Sequence, residues 1–178
     1  MNLEEKTVLE QYIYKGRIIN LRVDEITLPN GAPAKREVVE HHGGVCVAPL
    51  TAEGELIFVR QFRYPYKEVL LELPAGKLEK GEEPLAAGLR ELKEETGAEA
   101  LNVTDLGKLY PSPGYCGEVI HMYLSEVAAI GKTNPDEDEF LETVTIPLEK
   151  AVQMVIDGEI RDAKTQVMVL KIARLLNK

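Results

Sequence analysis

The first third of the chain alternates short apolar runs with turn residues. Runs rich in β-branched and aromatic residues predict strands at residues 7–14, 17–28, 36–41, 45–50, 56–62 and 69–73. Asn30-Gly31 is typical of a hairpin turn, and the last of these runs stops at Pro74-Ala75-Gly76. We therefore expect this part of the chain to form sheets.

From Pro84 onward the apolar spacing changes to that of helices. Leu85, Leu89 and Leu92 recur at intervals of four and three, which predicts a helix that begins near Pro84 and ends at Gly97. Strand patterns return at 106–110, 119–124 and 140–146, and two more amphipathic helices are predicted at 148–156 and 165–176. Strands mixed with a few helices indicate an α/β (α+β) fold, in which helices cover a sheet.

Length and composition narrow the class of protein. A chain of 178 residues corresponds to about one domain. No apolar run approaches the ~20 residues of a membrane span, and two cysteines are too few for a disulfide framework, so a reduced cytoplasm is the expected compartment. The 21 basic and 30 acidic residues give a net charge of -9, which argues against nucleic-acid binding by phosphate neutralisation. A small phosphorylated substrate would need local arginines or a metal ion.

The predicted helix after Pro84 is rich in acidic side chains. With about 100° of rotation per residue, Glu91, Glu94 and Glu95 share a face roughly opposite the leucines. Like charges at these spacings repel by about 0.2–0.5 kcal/mol. A divalent, oxygen-binding cation such as Mg²⁺ would relieve this repulsion. A solvated acidic surface is the alternative interpretation.

The spacing of the whole segment favours the metal site. Gly76 is followed by five residues and Glu82, then by seven residues and Arg90-Glu91-Leu92, and then by one residue, Glu94-Glu95, one residue and Gly97. This segment resembles the Nudix box, whose pattern is G-x5-E-x7-R-E-U-x-E-E-x-G-U, with U an aliphatic residue. Every fixed position matches, and the single departure is Ala98 at the last aliphatic position.

This resemblance implies a Nudix-type α/β/α sandwich with a mixed sheet. It also implies Mg²⁺-dependent hydrolysis of a nucleoside diphosphate linked to another moiety, with Mn²⁺ as an alternative ion. The implied metal ligands are Glu91, Glu94, Glu95 and the backbone carbonyl of Ala75, with Glu82 in or next to the ligand set. Arg90 is expected to orient the glutamates. Bound metal would neutralise charge on the diphosphate and lower the pKa of a bound water.

Segments outside the box resemble one subfamily, the ADP-ribose pyrophosphatases. Pro113, within Ser112-Pro113-Gly114, lies 16 positions beyond Gly97. Val59-Arg-Gln-Phe-Arg63, Glu72-Leu-Pro-Ala-Gly76 and the pair Arg36-Glu37 agree with the same subfamily. The implied reaction converts ADP-ribose and water to AMP and ribose 5-phosphate, and other ADP-sugars are further candidate substrates.

The same resemblance suggests which residues contact the substrate. Arg36 and Arg63 are expected at the diphosphate or the adenosine, because the planar fork of a guanidinium suits phosphate oxygens. The other expected substrate contacts are Glu37, Glu72, Pro113 and Glu118. Residues 135–139 resemble a mobile loop that brings a catalytic glutamate to the bound substrate. Glu137 is the first candidate for the general base, and Glu139 is the second.

The subfamily usually forms dimers, so a homodimer is expected. Residues 1–42 would be an N-terminal strand region that forms the dimer, and residues 43–178 the Nudix hydrolase domain. Neither nucleic acid nor membrane is an expected partner. Two other functions stay open: a Nudix hydrolase for another nucleotide, such as a GDP-sugar or an oxidised nucleotide, and a nucleotide-sensing module without the chemistry. The presence of all four box glutamates argues against the sensing module.

Overall fold

A computed structural model describes residues 2–135 and 139–177. In chain order its elements are β1 (Lys6–Lys15), β2 (Ile19–Thr27), β3 (Pro33–His41), β4 (Gly44–Leu50), β5 (Glu55–Arg63), β6 (Glu68–Glu72), β7 (Ala75–Lys77), α1 (Pro84–Thr96), β8 (Ala98–Leu109), β9 (Ile120–Ile130), β10 (Leu141–Pro147), α2 (Leu148–Ile156) and α3 (Ala163–Leu175). This order confirms the expected mixture of strands and helices. Of these helices, none has the length and apolar character needed to cross a membrane.

The chain divides into two compact units. The first comprises the residues up to Gly43 together with Tyr110–Val119. It contains an antiparallel sheet in the order β1-β2-β3. Strand β1 is exposed along its whole length, whereas β2 buries Asp24 and Ile26.

The second unit is built around a larger mixed sheet and comprises Gly44–Leu109 and the residues from Ile120 onward. The strand order is β10-β5-β4-β9-β8, with β6 paired to β5 and β7 paired to β4. Strands β4 and β9 run parallel, and the other pairs are antiparallel. The short strand β7 places the first residues of the glycine-glutamate motif directly beside β4.

Helices cover both faces of this sheet. Successive side chains of a strand face opposite sides. On β4, Val45 and Val47 therefore belong to the apolar cluster of α1, whereas Cys46 and Ala48 belong to the cluster of α2 and α3. The result is the α/β/α arrangement expected from the sequence, with α1 alone on one face.

Both ends of α1 are fixed by local chemistry. The carboxylate of Glu83 caps the first turn by accepting a hydrogen bond from the Leu85 amide at 3.0 Å, and Pro84 occupies the first helical position. Gly97 ends the helix in the left-handed conformation, with φ of 70°. A Cβ at Gly97 would lie 2.4 Å from the carbonyl oxygen of Gly131, so glycine is required there for space as well as for conformation.

Candidate active site

The glutamates of the motif lie on α1 and in the loop before it, with unequal burial. Glu95 is only 2% exposed, whereas Glu82, Glu91 and Glu94 keep partly exposed carboxylates. The helical wheel places Glu95 on the face opposite the leucines. In the structure the buried face of α1 includes Glu95 together with Leu92. Glu95 therefore borders the protein interior, and the side chains of the other three, the outer glutamates, are 14–34% exposed.

Arg90 connects the three outer glutamates. Its Nη1 donates hydrogen bonds to Glu91 Oε1 and Glu94 Oε2, both at 2.9 Å. Its Nε and Nη2 each reach Glu82 Oε1 at 3.3 Å. One guanidinium thus holds three carboxylates in a fixed arrangement, as the resemblance implies.

Gly76 allows the Glu91 carboxylate to approach the backbone of β7. A Cβ built on Gly76 would lie 2.1 Å from the carboxyl carbon of Glu91, a separation that real atoms do not adopt. The motif therefore needs glycine at position 76 to leave space for Glu91, fifteen residues later.

Glu95 is hydrogen-bonded to β7, and its surroundings disfavour its charged form. Its Oε2 accepts a hydrogen bond from the Ala75 amide at 3.2 Å. Burial, followed by the charges of Glu91 and Glu139, raises the pKa of Glu95 to about 8. Burial also raises the pKa of Glu91, and Arg90 offsets this only in part. At neutral pH this group of carboxylates resists full ionisation.

The segment after β9 runs along the C-terminal end of α1. The Gly131 amide donates to the Gly97 carbonyl and the Asn134 amide donates to the Glu94 carbonyl, each at 2.8 Å. Glu139 follows this anchored segment, and its charge contributes to the raised pKa of both Glu91 and Glu95. The loop therefore places Glu139 near the box carboxylates. Glu137, the first candidate for the general base, lies outside the described residues.

Arg63 and Glu72 form a bidentate pair next to this cluster. Arg63 Nε and Nη2 donate to the two carboxylate oxygens of Glu72 at 2.6 and 2.7 Å. Glu72 is 1% exposed and also pairs with Lys164 of α3, while Arg63 is partly exposed. Arg63 also lies close enough to Glu95 for its charge to oppose the rise in the pKa of Glu95. The predicted arginine thus borders the metal candidates, and the described contacts of Glu72 are with Arg63 and Lys164.

The remaining predicted substrate contacts lie in the first unit. Arg36 forms an exposed ion pair with Glu5, at 2.5 Å between Nη2 and Oε1. Glu118 is partly buried, with its Oε1 3.4 Å from His41 Nδ1. The other two, Glu37 and Pro113, are exposed. The structure thus brings Arg63, Glu72, Ala75, Glu139 and the box residues together in the second unit, and the other four belong to the first unit.

The donor set of the second unit suits a hard divalent cation. Carboxylate and carbonyl oxygens are the ligands that Mg²⁺ and Ca²⁺ prefer. Burial, with a further contribution from neighbouring carboxylates, raises the pKa values of Glu91 and Glu95, and a bound cation would favour their charged forms. As the side chains stand, residues 2–135 and 139–177 contain no three His, Cys, Asp or Glu side chains grouped for metal binding. Arg90 instead donates hydrogen bonds to Glu91 and Glu94, two of the implied metal ligands, so these hydrogen bonds compete with metal binding.

Sequence reasoning missed the contribution of helix α3 to this region. Its N-cap, Asp162, accepts from the Thr165 amide at 2.9 Å, and the Thr165 hydroxyl accepts from the Leu73 amide at 2.9 Å. Lys164, between them, pairs with Glu72. An aspartate three residues before the predicted helix start is the available signal for this cap. Nothing in the spacing indicates that Lys164 meets a residue 92 positions earlier.

Comparison with known proteins agrees with this arrangement. Residues 40–166 match the NUDIX domain family, and residues 5–39 match the family described as the nucleoside diphosphate sugar hydrolase N-terminal domain. The chain is 46% identical to the ADP-ribose pyrophosphatase of Bacillus subtilis, over 92% of this chain and 90% of that protein. It is 42% identical to the methanol dehydrogenase activator of Bacillus methanolicus, over 93% and 91% of the two chains. It is 34% identical to the GDP-mannose pyrophosphatase of Klebsiella pneumoniae, over 82% and 79%.

These matches confirm the resemblance that the spacing from Gly76 to Ala98 indicates. The family match covers both the carboxylate helix and the sheet that supports it. The chain belongs to the Nudix family and is a Nudix hydrolase.

Proposed function

We propose that this protein hydrolyses the pyrophosphate bond of ADP-ribose to AMP and ribose 5-phosphate, with Mg²⁺ as the metal ion and Mn²⁺ as a substitute. The observation that supports this most directly is that Glu91 and Glu95 both lie against β7, with Glu139 and Arg63 close enough for their charges to act on the pKa of Glu95. Carboxylates in this arrangement would hold a divalent cation, and an arginine suits the oxygens of a diphosphate. The similarity to an ADP-ribose pyrophosphatase over nearly the whole chain supports the choice of substrate.

In this proposal the box residues hold the metal, and neighbouring groups organise them. Glu91, Glu94 and Glu95, with the carbonyl of Ala75, are the ligands, and Glu82 lies in or next to the set. Bound metal neutralises charge on the diphosphate and lowers the pKa of a bound water. Arg90 keeps the outer carboxylates oriented through its hydrogen bonds.

The reaction requires one water and one proton acceptor. The water oxygen forms a bond to one phosphorus, the bridging P–O bond breaks, and two phosphate monoesters leave. A glutamate of the 135–139 segment accepts the proton of the water. Glu139 is supported by its proximity to Glu91 and Glu95, and Glu137 stays the first candidate from the sequence.

The predicted substrate contacts outside the glutamate motif are part of the proposal. Arg63 would bind the diphosphate, with Glu72 beside it. From the first unit, Arg36, Glu37, Pro113 and Glu118 stay predicted contacts of the substrate. A cytoplasmic location also stays a prediction.

A homodimer formed through the N-terminal strands is part of the proposal. Strand β1 exposes Val8, Leu9, Tyr12, Ile13 and Tyr14, each more than 40% accessible. Burying such side chains against a second copy would stabilise a dimer. Sedimentation equilibrium is expected to give twice the 19.8 kDa chain mass, and Ile13→Asp is expected to shift the protein toward monomer. A monomeric wild-type protein would contradict this part.

GDP-mannose hydrolysis is the second candidate, because one relative at 34% identity has that name. Product analysis with ADP-ribose, GDP-mannose and ADP-glucose at equal concentration separates the candidates. The proposal predicts the highest kcat/KM for ADP-ribose, with AMP and ribose 5-phosphate in equal amounts. A preference for GDP-mannose would keep the Nudix chemistry and replace the substrate. Tight ADP-ribose binding without turnover of any of the three would favour the sensing module.

A further inference from the structure

Helix α3 begins with a buried lysine that the proposed chemistry does not use. The Lys164 side chain is 11% exposed and pairs with Glu72 Oε2, and its Nζ lies 3.0 Å from Asp162 Oδ1. Burial lowers the pKa of Lys164, but the charges of Asp162 and Glu72 more than offset this and raise it overall. Lys164 is therefore a permanent buried cation.

The lysine belongs to a balanced network of four charges. Arg63 and Lys164 are cations and Glu72 and Asp162 are anions, so their formal charges sum to zero. Glu72 Oε2 accepts from both Arg63 Nη2 and Lys164 Nζ. A buried ion pair that loses one partner leaves an uncompensated charge, so these groups depend on one another.

The network leaves one face of Arg63 available. Within the described residues, the side-chain hydrogen bonds of Arg63 all go to Glu72, through Nε and Nη2. Nη1 is the remaining nitrogen of the fork, and Arg63 lies close enough to Glu95 to act on its pKa. The guanidinium is thus held on one edge by a buried carboxylate and borders the box carboxylates.

We propose that Lys164 is a positioning residue for Arg63: it fixes the Glu72 carboxylate, and Glu72 fixes the guanidinium so that Nη1 can bind the diphosphate of the substrate. This inference rests on the proposed function, because it requires a diphosphate at the box. Without Lys164, the Glu72 carboxylate would lose one of its two partners and would no longer be fixed. The Arg63 guanidinium would then lose its fixed orientation, and substrate binding would weaken for that reason.

A double-mutant cycle tests this proposal. Lys164→Met is expected to raise KM for the best nucleoside diphosphate substrate about 10- to 100-fold. The Mg²⁺ concentration for half-maximal rate is expected to stay unchanged, because Lys164 makes no contact with the box glutamates. In an Arg63→Gln background, Lys164→Met is expected to change KM less than about twofold, since the residue it positions is already gone. Equal effects of Lys164→Met in both backgrounds would overturn the proposal and leave a purely structural lysine.

Two further variants control for folding. Lys171→Met removes another lysine of α3, which bonds to the Leu106 carbonyl, and it is expected to leave KM unchanged. If Lys164→Met fails to fold, the charge-balanced pair Lys164→Met with Asp162→Asn replaces it and is expected to give the same rise in KM. An unchanged KM in that pair would also overturn the proposal. Wild-type protein that hydrolyses no nucleoside diphosphate sugar would instead overturn the proposed function and this inference with it.

Discussion

At the scale of single residues, the site consists of acids that disfavour one another's charge. Glu91 and Glu95 have raised pKa values, and Glu139 contributes to both. Arg90 compensates for the outer glutamates, whereas the buried Glu95 carboxylate accepts its described hydrogen bond from the Ala75 amide. Glu95, the buried acid, is thus the least compensated one. Its ionisation is expected to affect both the stability of the protein and the proposed binding of metal.

This arrangement predicts an unusual dependence of stability on pH in the absence of metal. The pKa of Glu95 is about 8 in the folded protein against 4.5 for an ordinary glutamate. Between these values the folded state holds a proton that the unfolded state releases. Stability from this group is therefore present at pH 5 and is lost as pH rises through 8. In EDTA, the melting temperature is expected to fall between pH 6 and pH 8.

Glu95→Gln is the control for this prediction, because it removes the titrating group at nearly constant shape. The variant is expected to lose most of the fall in melting temperature over the same range. Added Mg²⁺ is expected to stabilise the wild-type protein more at pH 8 than at pH 6, because binding requires the ionised carboxylate. A wild-type melting temperature that is constant or rises from pH 6 to pH 8 in EDTA would contradict the assignment.

A second prediction concerns the general base. Glu139→Gln is expected to lower kcat about 100-fold or more with little change in KM, because the amide cannot accept a proton from the attacking water. Glu142→Gln is the matched control, since Glu142 is an exposed residue of β10 paired with Arg60, and its activity is expected to equal wild type. Steady-state kinetics measure both. If Glu137→Gln loses activity and Glu139→Gln keeps it, Glu137 is the base.

At the scale of elements, the site depends on a clamp, the hydrogen bonds by which the N-terminus of α3 holds the link between β6 and β7. The N-terminus of α3 holds the end of β6 through the Thr165 hydroxyl, which accepts from the Leu73 amide and donates to Asp162. Two residues later β7 begins, and its Ala75 amide bonds to Glu95. The link between β6 and β7 is thus held from both sides.

This clamp predicts that removing the Thr165 hydroxyl lowers the stability of the protein. Thr165→Val keeps the shape of the buried side chain but leaves the Leu73 amide without its acceptor. The free energy of unfolding is expected to fall by about 1–3 kcal/mol. Urea denaturation measures this, and Thr165→Ser, which restores the hydroxyl, is expected to recover most of the loss. A Thr165→Val protein as stable as wild type would show that the clamp contributes nothing.

Apolar periodicity predicted elements where one face is buried. Helix α1 begins at Pro84 and ends before Gly97 as expected, and β4 and β5 lie within a residue of their predicted bounds. Strand β8 begins at Ala98, eight residues before its predicted start, because its first half is largely exposed and Glu99 and Asn102 interrupt its apolar residues. Strand β7 was missed because three residues after a proline give no pattern, and its pairing with β4 defines it.

For the site, the sequence predicted what is local and missed what is distant. Fixed spacing along one helix and its preceding loop was enough to group Glu82, Arg90, Glu91 and Glu94. It did not predict the burial of Glu95, which depends on packing against β7. The meeting of Glu72 with Lys164 depends on tertiary structure across 92 positions, so no local pattern contains it.

At the scale of the whole molecule, an acidic protein is proposed to bind an anionic substrate. The net charge of -9 gives a background field that repels a diphosphate. The site offsets this locally, with Arg63 beside the carboxylates and a divalent cation proposed between them. The proposed function therefore requires metal for binding and for chemistry alike, and the buried Glu95, as a proposed ligand, is the residue at which that requirement is most easily tested.

The requirement for metal at Glu95 is best tested by measuring hydrolysis of ADP-ribose by wild type, Glu95→Gln and Glu99→Gln, each with Mg²⁺ and with EDTA. Glu99 is an exposed glutamate four residues beyond Glu95 that pairs with Lys93, so its variant controls for loss of a negative charge. Wild type and Glu99→Gln are expected to form AMP and ribose 5-phosphate only with Mg²⁺. Glu95→Gln is expected to be slower by about 100-fold or more. Wild-type turnover in EDTA, or full activity of Glu95→Gln, would contradict the account.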